Sequence, residues 1–215
     1  MIEIIPAILT SDLTEAKEKL LALEGVVDRV QIDIIDGIFA DNKTIFPESL
    51  MDFDTSLKID YHLMTDSPVN FIERCIQGQA DRIIGQIEMM EDQREFVEKI
   101  TEVGLKVGLA IDLETPIERL DESILTDVDV ILIMSVKAGF GGQQFEFSSV
   151  DKMKQLVAMK QRDETPFRVC VDGGETLGTI DDVAIAGVDE VSIGKRIFEG
   201  NILENIQMFR QAADK

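Results

Sequence analysis

The sequence predicts an α/β protein, a single (β/α)8 barrel of the TIM-barrel class that spans residues 1–215 as one domain. Two observations support this prediction. Short segments rich in β-branched residues alternate with longer amphipathic segments along the chain, and eight of the short segments are present. The 215 residues suffice for one large core and are too few for two comfortable domains. A doubly wound open sheet is the alternative.

The eight short segments are predicted to be β-strands. Each contains Val or Ile and has a flanking turn signal, and none exceeds nine residues: 2–8, 28–34, 57–64, 82–88, 106–112, 128–136, 167–174 and 190–194. Ligands of (β/α)8 barrels bind at the carboxyl ends of the strands. Polar residues at these ends are therefore the candidates for function.

The segments between the strands show helical periodicity. The first, residues 11–25, opens with the N-cap signal Ser11-Asp12 and closes at Gly25. A second helix is predicted over residues 67–78, where Pro68 lies near the helix start, a favoured position for proline. Four further helices are predicted over residues 91–104, 148–161, 176–187 and 201–215.

The charge of the chain restricts its partners. The formal net charge is −21, which argues against nucleic acid, because phosphate backbones are bound by basic surfaces. An anionic substrate would need backbone amides and a few well-placed cations. No apolar run approaches the roughly 18 residues of a membrane span, and no signal peptide is recognisable. Two cysteines are too few for a disulfide scaffold, so a cytoplasmic location is expected.

Three titratable residues lie at the ends of different predicted strands. Asp33, His62 and Asp172 belong to the second, third and seventh, and a closed barrel would bring them together. Gln31 shares a strand face with Asp33, because side chains alternate along a strand. Two facing carboxylates suit proton transfer at a carbon next to a carbonyl: one removes the proton and the other returns it on the opposite face. The pair of aspartates therefore favours epimerisation. The position of His62 between them favours a functional role over a purely structural one.

A second group of residues is typical of an anion site. The loop GFGGQ over residues 139–143, Gly173-Gly174 after the seventh strand and Gly194-Lys195 after the eighth allow backbone amides to approach a phosphate. Lys195 is either the local cation of that site or a solvated surface lysine. Met64 and Met134, at the ends of two strands, either pack in the core or cap a planar intermediate.

These residues lie within stretches that resemble the ribulose-phosphate 3-epimerase family. The resemblance extends from residue 4 to residue 198 and rests on these motifs in order: IIPAILTSDL (4–13), IDIIDGIFADNKTI (32–45), IDYHLM (59–64), TPIERL (115–120), DVILIMSVKAGFGGQ (129–143), VDGG (171–174) and AGVDEVSIG (186–194). It implies a (β/α)8 barrel that interconverts ribulose 5-phosphate and xylulose 5-phosphate, with Asp33 and Asp172 as the acid/base pair. It also implies a divalent metal and a substrate site formed by Met64, Met134, Gly141, Gly142, Gly173, Gly174 and Gly194.

The chain departs from the family pattern at several site positions. Gln31 stands where the family has a histidine that binds the metal, so Asp33, His62 and Asp172 remain as ligands and Gln31 is a weak fourth. This donor set favours Mn²⁺, Fe²⁺ or Mg²⁺ over Zn²⁺, and a site without metal is the alternative. Ala7 and Lys195 replace family serines near the substrate, and a histidine of the fourth strand is missing near Gln86.

The predicted partner is therefore a small phosphorylated sugar, and the resemblance implies a homo-oligomer. Two other functions stay open at this point. One is epimerisation of a different phosphosugar, such as a ketohexose 6-phosphate. The other is a non-catalytic phosphosugar-binding protein with a degraded metal site.

Overall fold

A computed structural model describes residues 2–214 of the chain. Eight parallel strands form one closed barrel in sequence order, with β1 paired to β8. The closed barrel confirms the predicted fold and excludes the open sheet. The strands are β1 (Glu3–Ile8), β2 (Arg29–Ile35), β3 (Lys58–Met64), β4 (Ala80–Gln86), β5 (Lys106–Ile111), β6 (Val130–Met134), β7 (Arg168–Asp172) and β8 (Glu190–Ile193). The organisation of the whole chain as a single domain stays a prediction.

Within the described residues, six α-helices cover the outside of the barrel. They are α1 (Leu13–Leu23), α2 (Ile72–Gln77), α3 (Gln93–Glu102), α4 (Ser148–Asp163), α5 (Ile180–Ala186) and α6 (Ile202–Ala213). Asp12 starts α1 as expected, because its side chain accepts hydrogen bonds from the amides of Thr14 and Glu15. The six α-helices correspond to the six predicted helical segments, and two crossovers have no α-helix. Only 3-10 turns connect β2 to β3 (Pro47–Leu50) and β5 to β6 (Ile117–Arg119 and Glu122–Asp127).

Three of the predicted element boundaries are wrong for local reasons. The seventh strand ends at Asp172, two residues early, because Gly173 and Gly174 have φ angles of 122° and 74° that an extended strand does not allow. The fourth strand ends at Gln86, because Ile87–Met89 form a 3-10 turn. The helix predicted over 67–78 is α-helical only over Ile72–Gln77, after a 3-10 turn that begins at Pro68.

A layer of charged side chains fills the barrel interior below the carboxyl ends of the strands. Arg82 on β4 donates to Asp60 on β3 and to Glu190 on β8, with Nη2–oxygen distances of 2.5 and 2.7 Å. Arg29 also pairs with Asp60, and Arg168 Nε lies 2.8 Å from Glu190 Oε1. Asp60, Arg82 and Glu190 are at most 3 % exposed. We call Arg29, Asp60, Arg82, Arg168 and Glu190 the buried charge layer. It closes the floor of the barrel.

The rest of the core is apolar. Outward-facing strand residues such as Ile32, Ile34 and Val171 pack against the helices and are fully buried. Among the described residues, no helix is both long and apolar enough to cross a membrane.

Candidate active site

A cavity of about 780 Å³ opens at the carboxyl ends of the strands. Its lining includes both aspartates and all the residues predicted to contact substrate: Ala7, Asp33, Met64, Met134, Gly141, Gly142, Asp172, Gly173, Gly174, Gly194 and Lys195. Gln31 and His62 are buried below its floor, with 1 % and 0 % of their surface exposed. The barrel therefore brings the sequence-predicted site residues to one place, as its topology requires.

Asp33, His62 and Asp172 form one compact cluster. Each contributes one ligand atom, and these atoms lie within 4.8 Å of one another. His62 Nδ1 is 3.2 Å from Asp33 Oδ1 and 3.6 Å from Asp172 Oδ2. Asp33 and His62 are direct neighbours in the β2–β3 register, whereas β7 is separated from β2 by β8 and β1. The two carboxylates thus approach the centre from different sides of the ring.

Gln31 joins the two carboxylates. Its Nε2 donates to Asp33 Oδ1 at 2.8 Å and to Asp172 Oδ2 at 2.6 Å. These are the same two oxygens that face His62. The strand period of two brings Gln31 to the interior together with Asp33, one layer deeper. The Gln31 carboxamide therefore fits between the two aspartates.

Burial and mutual interaction shift the protonation of the cluster. Burial raises the pKa of Asp33, and the charge of Asp172 adds to this effect, while hydrogen bonds from His62 and Gln31 oppose it. Burial alone would lower the pKa of His62, but its hydrogen bonds to Asp172 and Asp33 and their charges raise it to about 9. The two aspartates therefore favour the protonated form of His62, whose charge offsets part of the buried negative charge.

Gln86 fixes the orientation of the His62 ring. Its carboxamide lies 3.1 Å from His62 Nε2, on the side opposite the aspartates. With the oxygen facing His62, the amide nitrogen donates to Glu88 Oε2 at 2.7 Å and to the carbonyl of Ala110 at 3.2 Å. This arrangement keeps a proton on Nε2 and directs Nδ1 at the carboxylates. Gln86 thus contacts the site only through the His62 ring, on the side opposite the aspartates.

Close approach explains the glycines after β7. A Cβ on Gly173 would lie 2.4 Å from a methyl group of Val136, and one on Gly174 would lie 2.4 Å from the backbone nitrogen of Phe145. A Cβ on Gly141 or Gly142 would meet no atom within 4 Å, and one on Gly194 would come no closer than 3.8 Å to another atom, the carbonyl oxygen of Ala7. The loops thus present bare backbone to the cavity, which is the arrangement that anion sites use.

Lys195 and the two methionines differ in their surroundings. The Lys195 side chain is 77 % exposed at the cavity rim, and its Nζ lies 3.6 Å from Glu199. It is a solvated rim residue rather than a cation inside the cavity. Met64 and Met134 are 2 % and 4 % exposed, pack in one cluster and also line the cavity. The two methionines therefore pack in the core and also form part of the apolar wall of the cavity.

Sequence reasoning missed Glu175, which is 2 % exposed and lines the cavity directly after Gly174. The only signal is a charged residue next to a glycine pair, and such a residue is usually solvated.

Comparison with known proteins identifies the family. Residues 3–198 match the model of the ribulose-phosphate 3 epimerase family. The ribulose-phosphate 3-epimerase of Treponema pallidum is 32% identical over 200 residues, which cover 92% of this chain and 91% of that protein. The enzyme of the same name from Serratia marcescens is 34% identical over 201 residues, covering 91% and 94%.

Solved structures with low sequence identity share the fold. The 3-keto-L-gulonate-6-phosphate decarboxylase from Vibrio cholerae has a TM-score of 0.70 at 14% identity and covers 99% of this chain and 97% of its own. The orotidine 5'-monophosphate decarboxylase from Methanocaldococcus jannaschii has a TM-score of 0.68 at 14% identity and covers 100% of both chains. These likenesses confirm the barrel and say nothing about the reaction. The family match and the curated relatives together establish that this chain belongs to the ribulose-phosphate 3-epimerase family, and its predicted class, an isomerase, is confirmed.

Proposed function

We propose that the protein interconverts D-ribulose 5-phosphate and D-xylulose 5-phosphate by inverting C3. The observation that carries this proposal is the pair Asp33 and Asp172, which approach one cavity from different sides of the barrel. Inversion needs two proton-transfer groups, because the proton leaves one face of the carbon and returns to the other.

In the proposed mechanism, Asp33 and Asp172 alternate as base and acid. One carboxylate removes the C3 proton, and the other carboxyl returns a proton to the opposite face of the enediolate. A raised pKa brings Asp33 closer to the working pH, which improves a general acid/base. The Gln31 amide and the His62 ring hold both carboxylates in register from below the cavity floor. Met64 and Met134 keep water from the apolar side of the intermediate.

The cluster also fits a divalent cation. At metal–ligand bonds of about 2.0–2.2 Å, neighbouring ligand atoms lie about 3.0–3.5 Å apart. The distance of 3.2 Å from His62 Nδ1 to Asp33 lies within this range, and the distance of 3.6 Å to Asp172 lies just above it. Asp33, His62 and Asp172 would hold the ion, and Gln31 would offer its amide oxygen after a rotation of the carboxamide. A bound ion would stabilise negative charge on the substrate oxygens. Two carboxylates, an imidazole and an amide favour Mn²⁺, Fe²⁺ or Mg²⁺ over Zn²⁺.

The substrate phosphate is assigned to the bare backbone of Gly141, Gly142, Gly173, Gly174 and Gly194. These glycines line the cavity beyond the aspartates, and amides suit an anion in a chain of net charge −21. Ala7 lines the cavity and offers the substrate no hydroxyl group. A ketohexose 6-phosphate is therefore the second candidate substrate, because the sugar contacts at this position differ from those that the family resemblance implies.

The proposal is tested by incubating the purified protein with ribulose 5-phosphate in D₂O and following the sugar by NMR. We expect xylulose 5-phosphate with deuterium at C3. Parallel samples with chelator, Zn²⁺, Mn²⁺ or Fe²⁺ identify the cation. Exchange with fructose 6-phosphate but not with the pentulose would favour the hexose alternative, and no exchange with either sugar would refute the epimerase. The homo-oligomer and the cytoplasmic location stay predictions.

A further inference from the structure

Glu175 is a buried carboxyl group that the proposed mechanism does not use. It follows the turn Asp172-Gly173-Gly174, lines the cavity and is 2 % exposed. No ion pair involves it in the described part of the chain, and the charged group that most affects it is Asp172, which is also an acid. A buried carboxylate without a cation is costly, so this position needs an explanation.

The contacts of Glu175 tie it to the backbone of the catalytic turn. Oε2 accepts a hydrogen bond from the amide of Gly173 at 3.0 Å. Oε1 lies 2.9 Å from Ser135 Oγ. The same hydroxyl lies 2.6 Å from the carbonyl oxygen of Gly173 and 3.0 Å from that of Asp172. The Asp172 carbonyl already accepts the Ser135 amide at 2.8 Å.

A count of protons indicates the state of Glu175. Ser135 Oγ carries one proton and faces three oxygens, two of them carbonyls that can only accept. The shortest distance assigns this proton to the carbonyl of Gly173. The contact with Glu175 Oε1 is then favourable only if the carboxyl group supplies the proton. Glu175 would therefore donate to Ser135 Oγ and accept from the Gly173 amide.

We infer that Glu175 is a neutral carboxylic acid in the working enzyme and that it is a positioning residue, which holds the backbone of Asp172 and Gly173 so that the Asp172 carboxyl faces Asp33. This inference rests on the proposed function for its catalytic part. The Ser135–Glu175 pair closes a hydrogen-bonded ring around the turn. In the neutral state it adds no third negative charge beside the proposed phosphate site. Burial, together with the charge of Asp172, raises the pKa of Glu175 to about 8, which agrees with this state.

The protonation is tested by infrared difference spectroscopy of wild type against Glu175→Gln at pH 7. The amide of the variant can reproduce both contacts, so we expect it to fold. One carbonyl band of a protonated acid, distinct from any band of Asp33 or Asp172, should be lost in Glu175→Gln relative to wild type. Glu118→Gln, on the exposed surface, should retain this band. Absence of this difference, or failure of Glu175→Gln to fold, would overturn the neutral acid.

The positioning role is tested by steady-state kinetics of Glu175→Gln and Glu175→Leu. Leucine fills similar space but cannot bind Gly173 or Ser135. We expect kcat to fall about 10–100-fold in Glu175→Leu with KM within about threefold, because a misplaced acid slows chemistry more than binding. The Gln variant should restore kcat to within about threefold of wild type. An unchanged kcat in Glu175→Leu, or equal loss in both variants, would overturn the role.

The two experiments keep the inference separate from the proposed function. If wild type shows no sugar exchange, the epimerase proposal fails, while the infrared band still decides whether Glu175 is neutral. If Glu175→Leu does not fold, the Gln variant and the wild-type spectrum still test the inference.

Discussion

Replacing either catalytic aspartate by asparagine should stop epimerisation but leave proton exchange on one face of C3, by the aspartate that remains. Proton transfer by a positioned side chain contributes about 10²–10⁴-fold, or about 3–5 kcal/mol of the barrier. Asp33 and Asp172 would both act in every turnover, so either single variant should lose at least this factor in both directions. The double variant should be little slower than the singles, because residues that act as a unit are not additive.

The distinctive expectation concerns isotope exchange. In Asp172→Asn, Asp33 still faces the cavity and can remove and return a proton on its own side. One epimer should therefore exchange its C3 proton with D₂O without inversion. In Asp33→Asn, the opposite epimer should exchange. The assay follows both ribulose 5-phosphate and xylulose 5-phosphate by NMR with each variant, and it scores exchange separately from epimerisation.

Exchange of the same epimer in both variants would refute the two-sided mechanism, as would retained epimerisation in either variant. Circular dichroism and thermal unfolding should show that both variants fold. Asp52→Asn, at an exposed aspartate that does not line the cavity, is the matched control and should keep full activity.

Three further predictions concern the surroundings of the dyad. Gln31→His should bind Mn²⁺ or Zn²⁺ at least about tenfold more tightly than wild type by calorimetry, because imidazole is a better ligand than an amide oxygen; unchanged affinity would mean that Gln31 lies outside the metal site. Arg82→Met should lower the free energy of unfolding in urea by about 3–5 kcal/mol, because Asp60 and Glu190 lose a shared buried partner; a loss below about 1 kcal/mol would contradict this. The pKa of Glu175 is raised from its ordinary value of 4.5 to about 8 in the folded protein, so the unfolded chain loses this proton at a lower pH than the folded one. The free energy of unfolding of wild type relative to Glu175→Gln should therefore fall as the pH rises from 4.5 to about 8, by at most about 1.4 kcal/mol per pH unit, and then level off. Parallel stability curves would contradict the raised pKa.

The centre of the site was predictable from strand periodicity. Residues two apart on a strand share a face, so Gln31 and Asp33 had to point the same way, and closure of the barrel supplied the rest. The bridge from Gln31 to Asp172 was not predictable, because it depends on how far β7 is staggered against β2. No local sequence pattern determines the distance between the side chains of two residues that are 141 positions apart.

The same limit explains the charges that sequence reasoning left unassigned. Asp60 lies two residues before His62 and so shares its strand face, but its partner Arg82 lies on another strand, and Glu190 comes from the far end of the chain. Glu175 was missed because its burial depends on the fold of the turn before it. Element boundaries failed where glycine conformations or 3-10 turns ended a strand early, as at Gly173.

The buried charge layer has a consequence for how the chain folds. Arg82 and Glu190 are 108 residues apart, and they meet only when β8 returns to pair with β1. An unclosed sheet could keep the pair of Glu190 with Arg168 but would lose its pair with Arg82, so a partly assembled barrel lacks part of this ion-pair network. We expect the strands to acquire hydrogen-exchange protection together rather than from the N-terminal half onward, and early protection of β1–β4 alone would contradict this. Formation of the ion pairs on the barrel floor is thus coupled to closure of the ring, so the interior becomes stable only when all eight strands are in place.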